Sequence, residues 1–461
     1  AATGFRYNLV QALPWLTQPP YNFDPTGNQY FPITGFYNSN MDFGKFLKGE
    51  YGMYSAVNAG VIDQIMNEIR ILGAATTQPG GAVPSYLPDQ YGSTASDYHG
   101  TEFRSAEYLM ATINVGSAIT VIPGVRYQGL KTTYTAAQFL GDADATNPYP
   151  YPLPSTLVTA DKYHGYWLPD VNVKYVPVTW LSLRASYTST LAYPDFAQAI
   201  PRLDVSSNSG HYVVWNNTDL KPAYSRNFDF QAAVFDNSVG LLAVTPFLKR
   251  VDDQIFGQST FISDPSKFPG VPPYTKTFAL LTYVNNPNRV DIWGIESEWQ
   301  THFWYLPDPF SGLVLNVNYT HIFSEAKYPY TLTVHSPVYP YPTVNIDTTY
   351  TDRLIQQPND IVNLSLGFDY DRFSILGSMI YQSQVYAGTN LFNALRSDKV
   401  RYTRWDLSVK QGLPWEGLEV YFDINDLNSE ADVFLIRGSG FPTSESNYGL
   451  TADLGIRWRL N

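Results

Sequence analysis

Tyr448-Gly449-Leu450-Thr451-Ala452-Asp453-Leu454-Gly455-Ile456-Arg457-Trp458-Arg459-Leu460-Asn461 keeps a strict two-residue rhythm. Leu450, Ala452, Leu454, Ile456, Trp458 and Leu460 fall on one side, and Thr451, Asp453, Gly455, Arg457 and Arg459 on the other. Successive side chains of an extended strand point to opposite faces, so this stretch predicts a strand with one apolar and one polar face. The rhythm returns upstream. Leu418, Val420, Phe422 and Ile424 alternate with Glu419, Tyr421, Asp423 and Asn425; Val362, Leu364, Leu366, Phe368 and Tyr370 with Asn363, Ser365, Gly367 and Asp369. Leu313, Leu315, Val317 and Tyr319 do the same against Asn316, Asn318 and Thr320, as do Phe228, Phe230, Ala232 and Val234 against Asn227, Asp229 and Gln231.

A soluble sandwich also alternates, but its strands usually run ~5–6 residues, whereas these run about 10–16, the length that crosses a bilayer at a tilt. The connections come in two sizes. Short turns lie near Gly116-Ser117, Pro177-Val178, Asn237-Ser238, Asp371-Arg372 and Pro414-Trp415. Between them lie long polar segments at 137–162, 194–223, 257–288, 326–356, 383–400 and 429–446. Short turns on one rim and long loops on the other mark a transmembrane antiparallel β-barrel. Trp167, Trp180, Trp304, Tyr305, Trp405, Trp415 and Trp458 sit toward strand ends, where interface girdles form.

Composition agrees. Of 461 residues, 16% are aromatic, including 36 Tyr, and only 15% are charged, below the ~25% of soluble domains. Mean hydropathy is −0.21. No apolar run approaches the ~18 residues of a membrane-spanning helix. Cysteine is absent, which excludes disulfides and thiolate chemistry in this chain. A net charge of −12 disfavours nucleic acid, whose phosphates are held by Lys and Arg.

From His99 onward the pattern gives about 13–14 strands, and since bacterial single-chain barrels close on even counts, strands before residue 1 are expected. Residues 99–461 read as the C-terminal strands of a barrel. Residues 1–98 read as the end of an earlier strand, near Gly4 to Leu9, and a long extracellular loop. Within it Val57, Val61, Ile65, Ile69 and Leu72 predict a short helix over 56–72. The opening Ala1-Ala2-Thr3-Gly4 reads as the middle of a longer protein.

Several segments resemble the barrel of TonB-dependent receptors. Asn217-Thr218-Asp219-Leu220-Lys221-Pro222 is similar to that family's Asn-Pro-Asp-Leu-Lys-Pro motif, with Thr218 in place of Pro, and is followed by Asn227-Phe228-Asp229-Phe230. Tyr193-Pro194-Asp195-Phe196 is similar to its Arg-Pro-Asp-Phe, with Tyr193 for Arg, and Pro123-Gly124-Val125-Arg126-Tyr127 and Gly294-Ile295-Glu296 match further segments. The order holds from about residue 97 to the end. The resemblance implies a barrel of about 22 strands in a Gram-negative outer membrane, filled by a plug domain that couples import to the TonB complex. The last residues, Leu460-Asn461, depart from the terminal aromatic usual in such barrels.

The residues predict neither an enzyme nor a cofactor. The histidines at 99, 164, 211, 302, 321 and 335 lack ligand spacing. Asp142 and Asp144 are weak candidates for a metal in a loop, though a solvated acidic loop is the plainer expectation. The loops offer Tyr149, Tyr151, Tyr328, Tyr330, Tyr339 and Tyr341 beside prolines as weak ligand-binding candidates or as stiff self-packing caps. Three roles remain: import of a scarce siderophore, vitamin, oligosaccharide or peptide; a scaffold binding a surface lipoprotein or another outer-membrane protein; and a diffusion porin. All three share outer-membrane lipid as a partner.

Overall fold

The computed structural model describes residues 14–19, 45–46, 51–52, 58–74, 97–140, 155–206, 211–340, 343–390 and 392–459. The chain divides into two compact units, Ala1–Ser93 and Thr94–Asn461. In the first, helix α1 spans Ala59–Ala74. It starts two to three residues later than the apolar spacing suggests because the Asn58 side chain accepts from the Val61 amide and caps it. The Trp15 indole donates to Glu68 at 2.7 Å. The predicted strand near Gly4 to Leu9 lies outside the described residues.

The second unit is built on a 19-stranded sheet. Thirteen of its strands follow one another in chain order: β1 (Tyr98–Met110), β2 (Ile119–Phe139), β3 (Ser155–Val178), β4 (Leu181–Ala192), β5 (Ala223–Asp236), β6 (Gly240–Asp252), β7 (Val290–His302), β8 (Leu313–His335), β9 (Asp360–Tyr370), β10 (Phe373–Gln382), β11 (Tyr402–Gly412), β12 (Leu418–Asn425) and β13 (Thr451–Trp458). Each pairs antiparallel with the next. The remaining six pieces extend or branch from this run.

Register carries one face intact across the run. Leu315 pairs with Leu366, Val317 with Leu364 and Tyr319 with Val362 between β8 and β9. The same face continues through Trp299–Val317 and Leu242–Trp299 on one side, and through Phe422–Leu454 and Val420–Ile456 at the far end. The opposite face pairs Asn316 with Ser365, Glu298 with Asn318 and Ser408 with Asp423. A one-residue slip would exchange the two faces, so the pattern specifies the register. Gly294 shows how tightly the polar face packs: a Cβ there would lie 2.2 Å from the His321 carbonyl and 2.8 Å from the Phe247 ring.

The apolar face is exposed, with Leu366, Trp293, Trp405 and Phe228 all counted among the exposed large hydrophobics. Trp293 and Phe323 stack on it, centroids 4.1 Å apart. β1 and β13, the ends of the run, are exposed on both faces. Among the described residues no helix is long and apolar enough to cross a membrane.

The turns also match their expected sizes. Gly240 at φ 79° and Gly417 at φ 71° take the left-handed backbone that two short turns require. The long connections, by contrast, are more structured than the sequence suggests. β3 starts at Ser155, well inside the expected 137–162 loop, and β2 runs slightly past its boundary to Phe139, because β-branched pairs such as Thr135–Thr159, hydroxyls 2.8 Å apart, sustain the ladder. Hairpins Leu203–Ser206/Tyr212–Trp215 and Ile255–Phe261/Ala279–Asn285 join in parallel at Tyr212–Ala279. Thr343–Asp352 folds back on the outer half of β8. Val385–Gly388, Ser397–Lys399, Ala431–Ile436 and Pro442–Asn447 form a separate four-stranded sheet. Buried clusters form in these connections and where they meet the strand ends: Leu203, Val213, Ile262 and Leu280 in one, Phe256, Val290, Tyr328 and Tyr386 in another.

In the full-length protein reconstituted in lipid vesicles, Leu366→Arg is expected to destabilise by about 2–4 kcal/mol in a urea titration, and Ser365→Arg, on the other face, by far less. Equal costs at the two positions would contradict the assignment of faces.

Candidate ligand-binding site

The long connections line an open cavity of about 550 Å³. Three connections build it. The β4–β5 connection supplies Trp215, Asn217 and Asp219, the β6–β7 hairpin supplies Gln258, Phe261 and Phe268, and the outer part of β8 with its returning strand supplies Tyr330 and Thr348. The Trp215 indole donates to the Pro269 carbonyl at 3.1 Å and meets Phe268 edge-on at 5.4 Å, so the ring is held in place before any ligand arrives.

The Asn217–Pro222 segment explains how the walls meet. The Asn217 side chain accepts from the Asp219 amide at 2.9 Å, an Asx turn that redirects the chain into β5. Leu220 is buried beneath it. Asn285, from the neighbouring hairpin, accepts from the Lys221 amide at 2.9 Å and donates to the Lys221 carbonyl at 2.8 Å. Asp219 is ion-paired with Lys162 of β3. The motif thus ties two cavity walls together.

Behind the Tyr330 wall lies a cluster of aromatic and charged side chains. Tyr330 meets Tyr350 edge-on at 6.0 Å, the Tyr350 and Tyr386 hydroxyls are 2.8 Å apart, and the Arg396 guanidinium sits 3.4 Å over the Tyr350 ring. Tyr328 is fully buried; its hydroxyl donates to the Arg353 carbonyl at 3.2 Å and accepts from the Ile355 amide at 2.8 Å. Burial pushes the hydroxyls of Tyr328, Tyr350 and Tyr386 above the ordinary tyrosine value, so they act as neutral hydrogen-bonding groups.

Arg437 joins three connections. It forks onto Asp398 at 2.7 and 2.8 Å and reaches Asp352 at 2.6 Å, while its guanidinium covers the Tyr386 ring at 4.5 Å. Asp398 retains only 3% of its side-chain exposure; without Arg437 it would keep only the Gln384 amide at 3.0 Å and the Arg353 guanidinium at 4.0 Å, too little to balance a buried charge. Arg437→Met is therefore expected to cost about 3–5 kcal/mol locally. Amide hydrogen exchange over 385–388 and 431–436 should accelerate by a hundredfold or more; unchanged exchange would refute the linkage.

The polar face of the run carries a second hollow of about 440 Å³, where Lys174, Arg184, Asp229 and Gln231 gather. Sequence reading singled out neither Trp215 nor Gln258; the motif beginning two residues after Trp215 was the nearest signal. Of the tyrosines it did single out, Tyr330 lines the cavity, Tyr328 packs behind it, and Tyr339 is 82% exposed. Tyr149, Tyr151, Tyr341, Asp142 and Asp144 lie outside the described residues. Among the described residues no group of three or more His, Asp or Glu is placed to hold a metal ion.

No curated protein matches the chain. The fold is similar to that of the Serratia marcescens hemophore receptor HasR, solved as a double mutant with its hemophore HasA and heme, at TM-score 0.51 and 16% identity over 78% of this chain and 52% of that one. It is similar to the ferric-catecholate import receptor Fiu from Escherichia coli K12, at TM-score 0.52 and 13% identity, covering 78% and 45%. It is likewise similar to the siderophore receptor PiuA from Acinetobacter baumannii, at TM-score 0.51 and 14% identity, covering 78% and 44%. The chain thus spans about half the length of these structures. The family model for TonB dependent receptor-like β-barrels matches residues 2–427. With its alternating faces and two-sized connections, the chain belongs to the TonB-dependent receptor β-barrel family of the Gram-negative outer membrane.

Proposed function

We propose that this chain is the wall and outer mouth of an importer that captures a scarce ligand at the cell surface. The observation that carries this is the preformed three-walled cavity on the long-loop rim, above a sheet whose inner-type face is polar. A membrane wall that only enclosed a diffusion path would not need a rigid cavity buttressed by buried tyrosines and an arginine fork. Import against a gradient requires energy from the TonB complex through a plug domain, which a longer protein containing this chain would supply. Residues 1–98 are then the end of an earlier strand, near Gly4 to Leu9, and a long outer loop.

A second role has one observation in its favour. Tyr339, Phe441 and Tyr448 are 82%, 71% and 89% exposed in the connections, where aromatic rings suit contact with a surface lipoprotein or another outer-membrane protein. Such a partner is compatible with import or with a scaffold.

Deleting the gene is expected to abolish cellular uptake of one class of labelled compound among ferric siderophores, vitamins, oligosaccharides and peptides. Loss of TonB should abolish the same uptake. Normal uptake of all four classes in the deletion strain would favour the scaffold.

A further inference from the structure

The chemistry of the loop cavity points to a ligand class, on the premise that this cavity is where the importer captures its ligand. Its lining carries one lysine, Lys267, and one aspartate, Asp219, which Lys162 already engages, so the cavity presents a single cation and no cluster of them. A ferric catecholate or a porphyrin carboxylate is anionic, and holding one away from water calls for clustered Arg or Lys. The cavity instead combines two features. Trp215 and Tyr330 offer flat apolar rings, the first locked by its bond to Pro269 and the second backed by Tyr350. The lining also carries neutral groups that both donate and accept, including Gln258, Ser263 and Thr348.

A pyranose ring has the same two-sided character: a face of C–H bonds and a rim of hydroxyls. The C–H face packs on an aromatic ring, and the hydroxyls exchange hydrogen bonds with amides and alcohols. A cavity of about 550 Å³ lies in the usual range for small ligands and suits a short oligomer. We infer that the loop cavity binds a neutral oligosaccharide, with Trp215 and Tyr330 as stacking platforms and Gln258 as a hydrogen-bonding group.

The test uses purified full-length receptor in detergent and an array of neutral linear oligosaccharides (gluco-, xylo-, manno- and galacto-configured). Ferric enterobactin and heme serve as anionic probes. At least one oligosaccharide should bind with an affinity that changes less than twofold between 0.05 and 0.5 M NaCl, since no ion pair is involved. Trp215→Ala and Tyr330→Ala should each weaken it tenfold or more. Gln258→Leu, which preserves side-chain bulk, should weaken it severalfold, and Trp215→Phe should retain most of it. Heat-modifiable gel mobility verifies that each variant is folded.

Binding of no oligosaccharide, or binding unaltered by both alanine variants, overturns the inference. So does salt-sensitive binding of an anionic probe in its place. If that anionic probe is also imported in a Trp215-dependent manner, the importer stands and only the ligand class falls. If an oligosaccharide binds through Trp215 and Tyr330 but never accumulates in cells, the ligand class stands and the importer falls.

Discussion

Hydrocarbon offers no water to an unpaired amide or carbonyl, so a sheet that crosses a membrane must satisfy its backbone sideways, strand to strand. This lateral pairing is the constraint on which the rest of the chain depends. It commits alternate residues to lipid, as in Leu315–Leu366 and Phe422–Leu454, and their neighbours to the polar face, as in Asn316–Ser365 and Ser408–Asp423. The burial pattern is accordingly inverted from that of a soluble domain. The large apolar residues of the wall are exposed, and buried clusters form in the connections, where Val213, Ile262 and Leu280 pack with Leu203, Val271 and Phe278. Full burial of such a side chain contributes roughly 1.5–3 kcal/mol.

The wall was legible in the sequence because pairing with period two writes the environment of each residue directly into its type. Leu418–Asn425 and Thr451–Trp458 form strands where the alternation places them, and the thirteen-strand run matches the number of alternating segments. The connections were less legible. The Tyr328-Pro329-Tyr330 segment looks like loop, yet it lies within β8 and pairs with the returning strand 343–352. Its two tyrosines have opposite roles, one buried and one lining the cavity, and the local sequence does not distinguish them. Arg437 could not be singled out at all, since its partners Asp398 and Asp352 lie 39 and 85 residues away and its role exists only once three connections meet.

The same division separates membership from specificity. The family signal resides in the wall and in a motif, Asn217–Pro222, whose task is to turn the chain into β5 and bind one loop hairpin through Asn285. Such a task is common to many ligands. On the proposed reading, specificity would reside in side chains brought together by three separate connections, and the backing of Tyr330 and Trp215 would limit the ordering cost when a ligand enters.

The alternation of environments along a single strand is the most direct measure of the central claim. This chain has no cysteine, so single cysteines can be placed at 362–368 of the full-length protein and spin-labelled in a lipid bilayer. Even positions (362, 364, 366, 368) are expected to show high oxygen accessibility and low accessibility to a water-soluble nickel chelate, with odd positions reversed or shielded from both. Accessibility that does not alternate with a period of two would contradict a membrane-spanning β-strand with one face in lipid.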